Sequence, residues 1–221
     1  FRFTSFSSTA ILLAAFSLTN ELTKQEIKIK ANQTIFNDGD LVKGIYLIEK
    51  GKVKVLSKMG ESNYHIIRLA GHDSILGHRG IHFKKYHIKA ETLEECTFTF
   101  IPIDIFIKII KANPDMAIYL INFLSLELRE AEDRMKNLSI LDPKKRIASV
   151  LIKLIEVFGY LSTRSNLLSF TLKRNDIANM ANTTYETVIR SLSYLAEKDL
   201  IELIGKQISI KNEKKLREFA K

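Results

Sequence analysis

A long segment free of helix-breaking residues constrains this chain more than any other feature. Between Pro114 and Leu138 no glycine or further proline occurs, and apolar residues recur at steps of three and four, which predicts a helix of about seven turns. The apolar stripe consists of Ile118, Ile121, Leu124, Leu128, Ala131, Met135 and Leu138. Because such a helix outreaches a small domain, we expect its stripe to pair with the same helix of a second subunit. Packing of the stripe on its own domain is the alternative.

The chain before this helix has the pattern of short strands. From about Glu26 to Pro102, alternating or β-branched runs are broken by glycines, which predicts a small antiparallel barrel or roll. Glycines 39, 44, 51, 60 and 71 are expected in turns that need a positive φ or a close approach of backbone. A further helix is predicted from residue 103, and Asn113 is placed to cap the long helix, with Pro114 at its first position.

Cysteine content and the amino-terminal stretch limit the class of protein. Cys96 is the only cysteine, which excludes an intrachain disulfide and a four-cysteine iron–sulfur or zinc site, and a reducing compartment fits this content. Residues 1–20 hold one arginine and a short apolar run, which superficially resembles a signal peptide but lacks a clean small-x-small cleavage pattern. We expect a helix packed on the first domain there, and no other segment approaches the length needed to span a bilayer.

The net charge points to a polyanionic partner. The chain carries +9 at pH 7, with 34 Lys and Arg against 25 Asp and Glu. Residues 143–221 hold 15 of the basic and 8 of the acidic residues, net +7, which leaves 19 against 17, net +2, for residues 1–142. The carboxyl-terminal part is therefore the basic one.

This basic part contains the pattern of a helix-turn-helix. Asp142-Pro143 interrupts the long helix, predicts a hinge, and can cap the apolar helix that follows. Residues 174–181 form a short helical segment, and Asn182 suits a left-handed turn conformation. Thr183 with Glu186 has the capping-box spacing that predicts the start of a second helix.

The second helix of this motif has a polar leading face. The residues expected on its packed inner side are Ile177, Met180, Val188, Leu192 and Leu195, and those expected to point outward are Tyr185, Glu186, Thr187 and Arg190. In such a motif the second helix enters the major groove, where arginine can bond guanine and glutamate can accept from cytosine. The alternative is an ordinary i,i+4 ion pair between Glu186 and Arg190. Two short strands, IELIG and QISIK, follow with Gly205 between them and predict a wing.

Three segments together resemble the Crp/Fnr family of bacterial transcription regulators. RNDIANMANTTYETVIRSLSYLAEKDLIELIGKQISI resembles its winged helix-turn-helix, ANPDMAIYLINFLSLELREAEDRMKNL its dimerisation helix, and NDGDLVKGIYLIEKGKVKV the start of its cyclic-nucleotide-binding β-roll. The resemblance covers nearly all of the chain. It implies an α+β fold with a β-roll sensor domain over residues 1–112, a dimerisation helix and hinge over residues 113–141, and a DNA-binding domain over residues 142–221.

The resemblance also implies a set of DNA contacts. Glu186 and Arg190 would contact bases, Arg174, Thr184 and Thr187 would contact phosphates, and Lys206 beside the wing turn would reach the DNA backbone. Tyr185 stands where the family commonly has the first arginine of an R-E-x-x-x-R pattern, so we expect a different preferred base at that step of the half-site. A homodimer would place two recognition helices about 34 Å apart on a near-palindromic duplex.

The sensor segment departs from the family's cyclic-nucleotide pocket at three places. Gly77-His78 stands where the family has a glycine-glutamate pair for the ribose, and an imidazole does not replace the accepting carboxylate. The stretch KKYHIKA has no Arg-Ser pair for the cyclic phosphate, and Ala131-Glu132 replaces a Thr-Ser pair that contacts adenine. We therefore expect an effector other than cAMP. The candidate pocket residues are Gly77, His78, Arg79, Lys85, Tyr86, His87, Ala131 and Glu132.

The identity of an effector stays open at this level. All five histidines, His65, His72, His78, His82 and His87, fall in this segment, so haem or metal sensing of a gas or redox state is one alternative. The others are histidines that merely alternate between strand faces, an unidentified small-molecule effector, and a dimer that needs none. A thiol sensor at Cys96 is a weaker hypothesis because a lone cysteine in a strand is usually buried.

The combined prediction is a homodimeric, cytoplasmic regulator that binds double-stranded DNA, with RNA polymerase as a further partner if it activates transcription. No membrane partner and no metal site are predicted, and the cofactor is unknown. The sequence has no phosphate-cradling glycine motif, no Ser-His-Asp candidate and no paired histidines at helical spacing, so we do not expect an enzyme. The rival class is a ligand-binding module whose basic domain binds a membrane or a protein.

Overall fold

The computed structural model describes residues 25–60 and 63–221. The apolar stretch at residues 1–20, with its signal-peptide and helix alternatives, lies outside the described residues. The described residues divide into two compact units, of which one contains residues 25–60, 63–64 and 70–129, and the other contains residues 65–69 and 130–221. The domain boundaries expected at residues 112 and 141 stay a prediction.

Residues 25–102 form two four-stranded sheets with antiparallel pairing. In one sheet the order is β1, β8, β3, β6, which are Gln25–Ile29, Cys96–Pro102, Gly44–Lys50 and Ile75–Leu76. In the other the order is β2, β7, β4, β5, which are Thr34–Phe36, Lys89–Thr92, Val53–Met59 and Asn63–Ala70. The predicted β-roll is confirmed. Strands β2, β6 and β7 were not predicted because they have only two to four residues, too few to show an alternation.

Several predicted turn glycines meet the two constraints expected of them. Gly39, Gly51 and Gly60 have φ values between +71° and +107°. Gly44 is constrained by close approach instead, since a Cβ there would lie 2.1 Å from the carbonyl oxygen of Ile101 on the neighbouring strand. Gly71 also lies at a turn, where its carbonyl accepts from the N–H of Ser74 at 3.1 Å, but it does not have a positive φ.

The core of the roll continues into two helices, α1 (Ile103–Ala112) and α2 (Pro114–Ile140). Its buried members are Ile45, Leu47, Ile75 and Ile101 from the sheet region, Phe106 and Ile109 from α1, and Met116 and Leu120 from α2. The side-chain Oδ1 of Asn113 accepts from the backbone N–H of Met116 at 3.3 Å, which confirms the predicted cap of the long helix.

The apolar stripe of α2 faces solvent in the single chain. Its large side chains Ile118, Ile121, Leu124, Leu128, Met135 and Leu138 are 41–64% exposed. The alternative in which the stripe packs on its own domain is therefore wrong for these six residues. A contiguous exposed apolar face of this length is typical of a surface that another protein chain covers.

Residues 143–219 form a winged helix-turn-helix, as predicted. Its helices are α3 (Pro143–Phe158), α4 (Arg174–Met180), α5 (Tyr185–Glu197) and α6 (Glu213–Phe219). Its sheet has the order β11, β12, β10, β9, which are Ile201–Ile204, Gln207–Ile210, Arg164–Leu168 and Tyr160–Leu161. The wing strands β11 and β12 pair across a turn in which Gly205 has a φ of +58°.

Local capping starts the helices of this domain, with one shift from the expectation. The carboxylate of Asp142 accepts from the backbone N–H groups of Lys144 at 2.8 Å and Lys145 at 3.1 Å, which confirms the predicted cap of α3. Asn182 has a φ of +46°, as expected for the turn. The predicted cap at Thr183 is wrong, because its N–H still closes the preceding turn onto the carbonyl of Ala178. The cap is Thr184, whose hydroxyl accepts from the N–H of Thr187.

The turn between α4 and α5 is held by one arginine of α3. The guanidinium of Arg146 donates from Nε to the carbonyl of Ala181 at 2.8 Å and from Nη2 to the carbonyl of Asn182 at 3.3 Å. Its Nη1 donates to the carbonyl of Leu141, just before α3, at 2.7 Å. One planar group thereby joins the residue before the cap of α3 to the turn that precedes α5.

Replacing Arg146 with lysine should lower the free energy of unfolding of this domain by about 2 kcal/mol, because one ammonium cannot reach the three carbonyls that lie around the edges of the planar guanidinium. Urea unfolding followed by circular dichroism measures the change. Arg129→Lys, at an exposed position of α2, is the matched control and should shift stability by less than about 0.5 kcal/mol. Equal effects of the two substitutions would contradict the role given to Arg146.

Candidate nucleic-acid interface

Helix α5 has one buried and one exposed face, as its sequence pattern predicted. Val188, Leu192 and Leu195 are fully buried, together with Ile177 of α4. Tyr185 is 47% exposed, and Glu186 and Arg190 are exposed on the outer side, with Thr187 half-buried between them. The amino-terminal half of α5 therefore presents its polar side chains to solvent on a rigidly packed helix, which is the arrangement needed for a helix that enters the major groove.

Arg190 is positioned by hydrogen bonds along α5. Its Nη2 donates to the hydroxyl of Thr187 at 3.3 Å, and that hydroxyl lies 3.0 Å from the hydroxyl of the cap residue Thr184. Among the ion pairs of residues 63–221, none joins Arg190 to Glu186, so the i,i+4 ion-pair alternative is not what the structure has. In the sequence, Thr184, Thr187 and Arg190 follow each other at steps of three, and this spacing could have predicted the two side-chain hydrogen bonds.

The other predicted DNA contacts lie at two further places on this domain. Arg174 is the first residue of α4 and is half-buried; burial lowers the pKa of its guanidinium, and the neighbouring Tyr185 opposes that shift. An arginine stays charged in proteins at any ordinary pH, so the site remains cationic. Lys206 is exposed in the wing turn, directly after Gly205.

In the sensor region, the structure brings three of the predicted pocket residues to one cluster, in which His78 is buried and Arg79 is half-buried. Gly77 has a φ of +88° and starts the 3-10 helix His78–Gly80. The His78 side chain is only 2% exposed, and its Nε2 lies 3.0 Å from Oε2 of Glu127 on α2. The Nε of Arg79 donates to the same oxygen at 3.3 Å. We call His78, Arg79 and Glu127 the sensor cluster.

Glu127 is a member of this cluster that the sequence analysis missed. Its side chain is 11% exposed, and the ring of Phe123, one turn earlier on α2, packs edge-on against His78 with 5.0 Å between ring centroids. Met116, Leu120, Phe123 and Glu127 follow each other at helical steps of four and three. This second stripe, which faces the roll at Met116 and Leu120, was the signal that could have identified Glu127.

The remaining predicted pocket residues are not gathered at this cluster. Tyr86 is buried, donates its hydroxyl to the carbonyl of Gly44 at 2.8 Å and stacks on Phe36, and burial raises the pKa of its hydroxyl. Lys85, His87 and Glu132 are exposed, and Ala131 lines a separate cavity of about 460 Å³ with neighbours such as Met135. Tyr86 nevertheless lies beside Gly77, where a Cβ would be 3.4 Å from its ring.

The described residues provide little for a metal or a reactive thiol. In residues 25–60 and 63–221, no three His, Cys, Asp or Glu side chains are grouped as metal ligands would be. Cys96 is buried, as expected for a lone cysteine in a strand, and burial raises the pKa of its thiol. Burial and then the charge of Arg134 lower the pKa of His65.

Across the same described ranges, none of the helices combines the length and the apolar character needed to traverse a bilayer.

Glu127→Ala should lower the free energy of unfolding by about 3 kcal/mol, because it removes the carboxylate shared by His78 and Arg79 inside the protein. Thermal unfolding measures this change. The matched control is Glu130→Ala on the same helix, whose carboxylate is 48% exposed and pairs with Lys153, and which should cost no more than about 1 kcal/mol. A Glu127 variant as stable as the Glu130 variant would show that the sensor cluster adds no stability.

Comparison with known proteins agrees with this architecture. Residues 26–113 match the family model of the cyclic nucleotide-binding domain, and residues 145–219 match that of the Crp-like helix-turn-helix domain. The FixK2 structure from Bradyrhizobium japonicum superimposes with a TM-score of 0.79 at 20% identity and covers 89% of this chain and 96% of that chain.

Curated relatives extend over most of the chain. Electron transport regulator A of Shewanella oneidensis is 26% identical over 193 residues, which are 86% of this chain and 76% of that protein. Transcriptional activator protein FnrA of Stutzerimonas stutzeri is 24% identical over 191 residues, which are 86% of this chain and 78% of that protein. By their names, the first is a regulator and the second is a transcriptional activator, and neither is named as an enzyme. With a cyclic-nucleotide-binding-type β-roll followed by a Crp-like helix-turn-helix, this chain belongs to the Crp/Fnr family of transcription regulators.

Proposed function

We propose that this regulator is a homodimer that recognises a near-palindromic duplex, with Glu186 and Arg190 contacting bases in each half-site. The observation that carries the proposal is the outer face of α5, where Arg190 is exposed and oriented by Thr187 while the opposite face is fully buried. A pre-oriented guanidinium can bond guanine bidentately, and the exposed carboxylate of Glu186 can accept from cytosine.

Phosphate contacts are proposed for Arg174, Thr184, Thr187 and Lys206, which are all exposed or half-buried around α5 and the wing. Such contacts orient the protein on the duplex and make its binding salt-dependent, but they do not select sequence. Tyr185 cannot make the bidentate guanine contact of an arginine. We therefore expect the half-site to lack a guanine requirement at the step that faces Tyr185.

Dimerisation is proposed through the exposed stripe of α2. The six large apolar side chains of this stripe lie along one helix face, and pairing with the same helix of a second copy would remove them from water together. A two-fold axis along this seam would relate the two copies of α5 and so match a near-palindromic site.

The effector is proposed to be something other than cAMP. Where the family places a carboxylate for the ribose, His78 is already bonded to Glu127 and flanked by Phe123. Haem or metal sensing stays an open alternative without a supporting group of ligands in residues 25–60 and 63–221. A cytoplasmic location, and contact with RNA polymerase if the protein activates transcription, are part of the same proposal.

The proposal is tested by selecting bound sequences from a random duplex pool with the purified protein, without added ligand. We expect a two-fold symmetric motif, whose recovery would also exclude a binding module that recognises only charge. Glu186→Ala combined with Arg190→Ala should abolish the sequence preference, a loss of about 1–3 kcal/mol per base contact. Glu197→Ala with Glu202→Ala, exposed positions outside the leading face of α5, is the control that should keep the preference. An unchanged motif in the first variant would overturn the assignment of base contacts.

Leu128→Glu should convert the dimer to a monomer at micromolar concentration, because it places a charge in the centre of the proposed seam. Sedimentation velocity gives the oligomeric state. Leu126→Glu is a closely matched control, since Leu126 and Leu128 are both 62% exposed but Leu126 lies off the stripe. Dissociation by both variants, or by neither, would contradict pairing through this face.

A further inference from the structure

A lysine outside the predicted DNA contacts lines the same cleft as Arg190. Lys144 is the second residue of α3 and is exposed. Its backbone N–H, like that of Lys145, is already bonded to the carboxylate of Asp142, so the start of α3 offers these two amides to no other acceptor. An anion that approaches the start of α3 would therefore meet the ammonium of Lys144 and not these two backbone amides.

The ammonium of Lys144 is held over an aromatic ring of α5. Its Nζ lies 4.0 Å from the centroid of the Tyr194 ring, within the range of a cation–π contact. A second lysine, Lys198, lies over the same ring at 5.7 Å. The flexible side chain of a lysine loses conformational entropy when it binds an anion. A lysine whose ammonium is already restrained by an aromatic ring loses less of this entropy on binding.

Lys144 and Tyr194 open onto the same cleft as the DNA-facing residues of α5. This cleft, of about 550 Å³, is lined by Lys144 and Pro143 of α3 and by Thr187, Arg190 and Tyr194 of α5. Its one carboxylate lining residue is Asp142, which is engaged as the cap of α3. Two cations thus border an open cleft whose acidic member already has partners.

We propose that Lys144 contacts a backbone phosphate of bound DNA and that Tyr194 is the positioning residue for this contact. The inference rests on the proposed function, in which Arg190 enters the major groove. Phosphates border that groove on both sides at a density of about one charge per 1.7 Å of duplex, so a cation flanking the base-contacting helix meets one of them. The contact adds affinity for any sequence and leaves the choice of sequence to Glu186 and Arg190.

The test measures duplex affinity as a function of salt for the full chain and its variants, on both the selected site and a random duplex. Lys144→Gln should reduce the slope of log affinity against log salt by about 0.9 on both duplexes, so that its deficit shrinks about 3.5-fold between 50 and 200 mM salt. Lys198→Gln is the matched control, because Lys198 also lies over the Tyr194 ring but does not line the cleft, and it should keep the parent slope.

Tyr194 is tested by a pair of substitutions. Tyr194→Leu should weaken binding several-fold on both duplexes at low salt, and Tyr194→Phe, which keeps the ring face, should restore the parent affinity. Thermal unfolding establishes that each variant is folded. A parent slope in Lys144→Gln, an equal loss in Lys198→Gln, or failure of Tyr194→Phe to restore the affinity of Tyr194→Leu would overturn this inference while leaving the DNA-binding proposal intact. A parent protein without duplex binding would overturn both.

Discussion

The guanidinium of Arg146 is the interaction on which the arrangement of the DNA-binding domain depends. A chain that ends one helix, turns and begins another leaves backbone carbonyls without helical partners. Here the carbonyls of Ala181 and Asn182 both accept from Arg146, which at the same time bonds the carbonyl of Leu141 before α3. The five donors of a planar guanidinium make this possible with a single side chain, and the direction in which α5 leaves the turn is fixed as a result.

What α5 presents to solvent follows from this fixed direction. Its inner face is occupied by fully buried aliphatic side chains, so rotation of the helix about its axis would expose apolar area and is opposed by roughly 25 cal/mol for each Å² exposed. The outer face is left to Thr187, Arg190 and their neighbours. Short polar side chains then orient the long one, since Thr187 accepts from Arg190. A stable scaffold thereby supports a polar surface whose own contacts are weak.

The sensor region has a different physical character from an open ligand pocket. His78, Arg79 and Glu127 place a buried imidazole, a nearly buried carboxylate and a half-buried guanidinium together. Burying such groups costs desolvation energy that their mutual attraction only partly offsets, so their value is more in specifying one arrangement than in stability alone. In this chain the specified arrangement joins the 3-10 helix after β6 to the middle of α2.

Local patterns in the sequence determined the longer strands of the roll, the helices from residue 103 to residue 197, the exposed stripe of α2, the caps at Asn113 and Asp142 and the wing. Periodicity, turn residues and caps act over a few positions, so they can be recognised without the fold. The shift of the α5 cap from Thr183 to Thr184 shows the limit of such patterns, because two adjacent threonines have nearly the same signal. Only the tertiary structure decided which carboxylate meets His78 and which carbonyls Arg146 binds. These contacts join residues 49 and 35 positions apart, so local spacing can place Glu127 on the roll-facing side of α2 but cannot say that it meets His78.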